Sequence, residues 1–212
     1  MNRARIFRLA VLSLVVALAA VAGAQAYVLL SPRRTWDAAP NYRVDNRGQS
    51  SINDGGDFGR NATRNAIVSS AAWNGAPTER SPVINATVAS ISGFRLGDGI
   101  PMLNFQDPLG ACTGSCLAAT FTGYYQSRGN GTYRITDADI VTNTAYNWAD
   151  ASDPCSGQEF RIEGVMVHET GHGLGLAHSN VSGSTMFPSV SACNNAPAST
   201  EADDEAGIDD LY

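Results

Sequence analysis

His168-Glu169-Thr170-Gly171-His172-Gly173-Leu174-Gly175-Leu176-Ala177-His178 is the stretch on which the reading of this 212-residue chain turns. On a helix, His168 and His172 stand one turn apart and project from the same face. Two imidazoles so arranged can both reach one zinc ion at ~2.0–2.1 Å. Glu169 lies one step round the helix, suited to touch a water at the metal rather than the metal itself. Gly175 can take the left-handed conformation that ends a helix, and the turn it makes would bring His178 back as a third ligand. Three protein ligands leave a fourth position open, which separates a catalytic zinc from a closed structural one. The chain has three His, and all of them sit in this motif. The expectation is one zinc ion held by His168, His172 and His178, with Glu169 as the general base.

Outward from the motif, the run from Glu159 to Gly173 reads as its helix. Upstream, Tyr42-Arg43-Val44 looks like the core of a strand and is followed by a loop rich in Gly, Asn and Asp from Asn46 to Gly59. Ala62, Ala66, Ile67, Ala71 and Trp73 recur at helical spacing and predict a helix from Arg60 to Trp73, which Asn74-Gly75-Ala76-Pro77 stops. Strands are expected at Ala86–Ile91, Met102–Phe105, Leu117–Tyr125 and Tyr133–Val141. A last short helix is expected from near Thr200, with Thr200 as its cap and Glu201, Asp203 and Asp204 at its positive end. This order is an α+β pattern.

The amino-terminal segment reads as an export signal. Arg3, Arg5 and Arg8 precede an uncharged, largely apolar run from Leu9 to Ala22, and Ala24-Gln25-Ala26 supplies a cleavage pattern. The expected division is therefore a signal peptide, residues 1–26, and a catalytic domain, residues 27–212. An uncleaved anchor is the competing reading, but Gly23-Ala24-Gln25-Ala26 interrupts the run before it reaches a spanning length. Removing residues 1–26 takes away three Arg and no acid, leaving 11 basic against 20 acidic side chains. That balance argues against nucleic acid or anionic lipid as the main partner. Four cysteines in an exported chain favour disulfides, with three possible pairings. The short Thr-Gly-Ser spacer favours Cys112 with Cys116, which leaves Cys155 with Cys193; a thiolate metal site is the rival.

The motif HETGHGLGLAH resembles the metzincin zinc-peptidase signature, and Ser179 after it is similar to the matrixin branch. Ser184-Thr185-Met186-Phe187-Pro188 resembles the metzincin Met-turn, with Met186 eight residues after His178. The ending Asp203 to Tyr212 is similar to the matrixin terminal helix, and Leu117-Ala118-Ala119-Thr120-Phe121 resembles the family's edge strand beside the cleft. The resemblance implies a metzincin-like catalytic domain: a twisted mixed sheet, an active-site helix, a Met-turn and a C-terminal helix. It implies a zinc-dependent metalloendopeptidase acting on extended polypeptide. Met186 would support the imidazoles by packing and would not ligate. The loop from Phe187 to Ser199 would wall the pocket for the residue after the scissile bond.

There are departures. No Cys lies in the ten or so residues between Ala26 and Trp36, so the cysteine switch of animal matrixins is not expected. Ala119 and Asp139 stand where two His of the animal structural-zinc site would align, so one zinc is expected. Pro188 stands where some metzincins carry a Tyr, and no such helper is assigned. Calcium is an option at Asp- and Gly-rich loops such as Asp54–Asp57. The protein is expected to be a monomer, without stable membrane association once the signal is cleaved. It is expected to be secreted, or periplasmic if retained. A zinc-binding module without catalysis is the main rival, and Glu169 is the feature that argues against it.

Overall fold

A mixed sheet with buried central strands builds the scaffold of the site. The computed structural model describes residues 26–212 apart from 50, 51, 53–55, 69–72, 76–83, 92, 93 and 128. The segment read above as an export signal therefore lies outside the described residues except for Ala26, as does part of the Asp54–Asp57 loop. In chain order the elements are β1 (Val28–Leu29), β2 (Arg34–Thr35), β3 (Asn41–Asp45), α1 (Arg60–Val68), β4 (Asn85–Ala89), β5 (Met102–Asn104), β6 (Ala118–Ser127), β7 (Tyr133–Thr142), β8 (Trp148–Ala149), β9 (Phe160–Arg161), α2 (Ile162–Leu174), β10 (Leu176–Ala177) and α3 (Ala202–Leu211).

The main sheet runs β2-β7-β5-β3-β4, with parallel pairing throughout, and β6 lies antiparallel along β7. The sheet is thus mixed, and β6 is its edge. Tyr42, Val44, Leu103, Phe105, Ala138 and Ile140 project from it into a core shared with Ile67 of α1 and Ile162, Met166 and Leu174 of α2. The predicted α+β class and the mixed sheet are borne out. Among the described residues no helix is long and apolar enough to cross a membrane.

Burial explains α2. Ten of its thirteen residues are buried, and a helix apolar on nearly all sides belongs inside the protein. The indole Nε1 of Trp73, which is fully buried, donates to the Val167 carbonyl at 2.8 Å. Gly175 ends the helix at φ 114°, with its N–H turned back to the carbonyls of Gly171 and His172. A Cβ there would meet the Arg34 carbonyl. The chain then pairs as β10 with β1, Leu29 opposite Leu176, and the pairing sets the direction in which His178 leaves.

The strands shift by a residue or two from expectation, and the helices differ at the start of α2, the end of α1 and the cap of α3. α2 starts at Ile162 rather than Glu159, because Phe160 and Arg161 pair in parallel with Trp148 and Ala149, and the Glu159 carbonyl accepts the Cys193 N–H at 2.9 Å. α1 ends at Val68, residues 69–72 lie outside the described residues, and Trp73–Gly75 forms a short 3-10 turn. α3 is capped by Glu201 rather than Thr200: the Glu201 N–H donates to Asp204 Oδ2 at 3.0 Å, while the Thr200 hydroxyl donates to Glu205 at 3.2 Å. The reciprocal Glu201/Asp204 arrangement satisfies N-terminal donors that a single cap would leave open. Both favoured disulfides, Cys112–Cys116 and Cys155–Cys193, are formed.

Candidate metal centre

Helical spacing, a left-handed cap and a two-residue strand together bring three imidazoles to one point. The ring centroids of His168 and His172 are 4.7 Å apart, and that of His178 is 5.2 Å and 4.8 Å from them. One nitrogen of each ring lies within 4.8 Å of the others. His168 Nδ1 is 2.7 Å from the Thr185 carbonyl, and His172 Nδ1 is 2.9 Å from the Leu176 carbonyl. A carbonyl only accepts, so each Nδ1 carries the proton and donates. That commitment leaves the Nε2 lone pairs of both rings free for a metal and fixes the ring planes.

Burial lowers the His172 pKa, against the charge of Glu169 and with His168 adding repulsion. His178 is lowered for the same reason, burial first and then His172. Converging imidazoles with open nitrogens are the donor set that zinc takes. The residues present therefore fit one such ion.

Glu169 is only 5% exposed and sits behind the rings. Its Oε2 receives the hydroxyl of Thr120, on β6, at 2.6 Å. Met186 packs under the helix: a Cβ on Gly171 would collide with its sulfur and come within 2.7 Å of a Trp73 ring carbon. The turn carrying Met186 is clamped by the buried Asp204 carboxylate, which accepts from the Ser184 hydroxyl at 2.5 Å and the Thr185 N–H at 2.8 Å. Thr185 is the residue whose carbonyl orients His168, so the clamp reaches the site through one peptide unit.

A cavity of about 630 Å³ opens beside His168, Glu169 and His178. Leu117, Ala118, Tyr146, Phe160, Phe187, Pro188 and Val190 are among the residues that line it. Tyr146 and Phe160 meet edge to face at 5.3 Å. The expected loop wall is therefore in position, and Cys155–Cys193 anchors it.

All four residues singled out in the sequence come together here. Thr120, Tyr146, Phe160 and Asp204 were not singled out for the site. Asp204 had a signal in the Glu201-x-x-Asp204 spacing of a capping box. The other three are joined to the site by sheet geometry alone. Asp57, offered for calcium, spends its carboxylate on the Arg60 side chain and the Asn61 N–H at the start of α1. Asp139 is buried on the face of β7 away from α2, beside Asp137.

A family model described as Matrixin matches residues 110–212. Matrilysin of Rattus norvegicus is 43% identical over 65 residues, covering 31% of this chain and 23% of the relative. Metalloendoproteinase 4-MMP of Arabidopsis thaliana is 33% identical over 117 residues, covering 55% of this chain and 28% of the relative. Matrix metalloproteinase-2 of Drosophila melanogaster is 36% identical over 99 residues, 47% of this chain and 12% of the relative. The matched stretches thus span less than a third of each relative's own length.

Proposed function

We propose that this chain, a matrixin-like metzincin metalloprotease, is an exported zinc-dependent endopeptidase with His168, His172 and His178 as ligands and Glu169 as general base. The observation that carries the reading is the convergence of three imidazoles next to a carboxylate that opens on a substrate-sized cavity. Bound zinc would acidify the attacking water and polarise the scissile carbonyl. Glu169 would take the water's proton and return it to the leaving amine. The free edge of β6 suits an extended polypeptide, which adds to a sheet edge by main-chain hydrogen bonds. The apolar cavity would receive the side chain after the scissile bond, with Tyr146 and Phe160 favouring a large one. Two disulfides are in keeping with an oxidising compartment.

The test is cleavage of an unfolded protein by the purified protein and by Glu169→Ala, with zinc measured in both. The expected result is activity in the parent, lost in a variant that still holds one zinc per chain. Zinc binding without cleavage of several unfolded substrates would overturn the endopeptidase reading in favour of a binding module.

A further inference from the structure

The contact between Thr120 and Glu169 crosses from the sheet edge to the metal-binding helix, 49 residues apart in sequence. Thr120 stands opposite Ile140 in the β6–β7 ladder. Its single hydroxyl hydrogen has two acceptors near it, Glu169 Oε2 at 2.6 Å and the Glu169 carbonyl at 2.9 Å. A bond to a charged acceptor is shorter and stronger than one to a neutral acceptor, so the hydrogen goes to Oε2. Among the described residues Glu169 Oε1 has no hydrogen-bond partner.

We infer that Thr120 is a positioning residue that fixes the Glu169 carboxylate for proton transfer, an assignment that rests on the reading of Glu169 as general base. Occupying Oε2 does two things. It removes rotation about the last side-chain torsion, which is otherwise broad for a carboxylate. It also directs an incoming proton to Oε1, because the face of Oε2 turned to Thr120 already receives a hydrogen. With the proton on Oε1, Oε2 is still an acceptor and the Thr120 bond persists. The carboxyl then stays in place to hand the proton on. Because Thr120 belongs to the edge strand, the same strand that would pair with substrate also sets the base.

The experiment compares Thr120→Val, which keeps the β-branched shape and removes the hydroxyl, with Thr120→Ser, which keeps the hydroxyl. On a peptide substrate, Thr120→Val should lower kcat roughly 10- to 100-fold with KM nearly unchanged, and Thr120→Ser should recover most of it. Zinc per chain and the Tm of the metal-free protein should match the parent in both. A second readout is independent of turnover: calorimetric binding of acetohydroxamic acid to the zinc-loaded protein. One of its two chelating oxygens carries the acidic hydrogen, which a fixed Glu169 carboxylate would accept, so the Thr120 contact strengthens binding. Thr120→Val should weaken it several-fold and Thr120→Ser should not. Parental kcat or parental hydroxamate affinity in Thr120→Val would overturn the inference, as would a Thr120→Ser variant no better than Thr120→Val. Loss of zinc or of Tm in Thr120→Val would make the residue structural instead. If the parent cuts no peptide, the endopeptidase reading fails, and the hydroxamate comparison still decides Thr120.

Discussion

Asp204 accepts the main-chain N–H of Met186 at 3.1 Å, tying the last helix to the turn beneath the three imidazoles. The same buried carboxylate also receives Ser184, Thr185 and the Glu201 N–H. Removing it strands several buried donors at once, and each unmet donor is costly. Asp204→Ala should destabilise the protein by about 3 kcal/mol, read from urea unfolding. A loss under about 1 kcal/mol would mean that water replaces the carboxylate.

Gly171 has no room for a side chain. Met186 could shift its sulfur, but the Trp73 ring is fully buried and held by its bond to Val167. Gly171→Ala should therefore cost about 1–3 kcal/mol through overpacking, seen as a lowered Tm. An unchanged Tm would show that the turn under the helix is looser than this packing implies.

Metal removal tests the centre through stability. A ligand that binds only the folded state raises Tm by mass action. With free zinc about 100-fold above its dissociation constant, chelation should lower Tm by roughly 5–10 °C. Adding zinc back should restore it in the parent and not in His172→Ala. Equal melting with and without chelator would count against a metal held by the folded state.

Asp137 and Asp139 form a buried carboxyl pair, 0% and 1% exposed. Asp139 Oδ1 accepts the Met102 N–H at 3.1 Å. Burial, then the charge of Asp137, pushes the Asp139 pKa up to about 8, and burial raises Asp137 too. A carboxyl whose folded-state pKa is raised takes up a proton on folding. Its contribution is complete below the unfolded value and is lost as pH climbs through the folded one. Stability should decline between about pH 4 and about pH 8, and Asp139→Asn should flatten that decline. Parallel pH profiles for parent and variant would reject the raised Asp139 pKa.

Cys155–Cys193 closes a loop across 38 positions and anchors the cavity wall. The double change Cys155→Ser/Cys193→Ser should cost about 4 kcal/mol on the chain-entropy account. It should also broaden the tolerated residue after the scissile bond, measured on a peptide library. Unchanged stability and unchanged preference together would leave the bridge without either role.

Local chemistry made the centre legible. Two His at one helical turn, a glycine able to stop the helix and a third His three residues later need only backbone geometry to converge. The strands Tyr42–Val44, Met102–Phe105 and Tyr133–Val141 were legible as short apolar and β-branched runs between turn-rich segments. Helix boundaries were less so. Glu159 to Arg161 has helical composition, yet Phe160 and Arg161 are claimed by pairing with Trp148 and Ala149, a partner that local propensity does not contain.

The order of residues by itself determined the spacing of His168, His172 and His178 and the glycine that stops the helix before His178, because these lie in one short segment; the edge strand followed from the family resemblance. Tertiary structure decided the rest. Thr120 meets Glu169 across 49 residues, Asp204 meets Met186 across 18, and Asp139 loses water beneath a neighbouring loop. Such contacts are set by which strands pair and which faces are buried. Those are properties of the assembled sheet, and no single segment carries them.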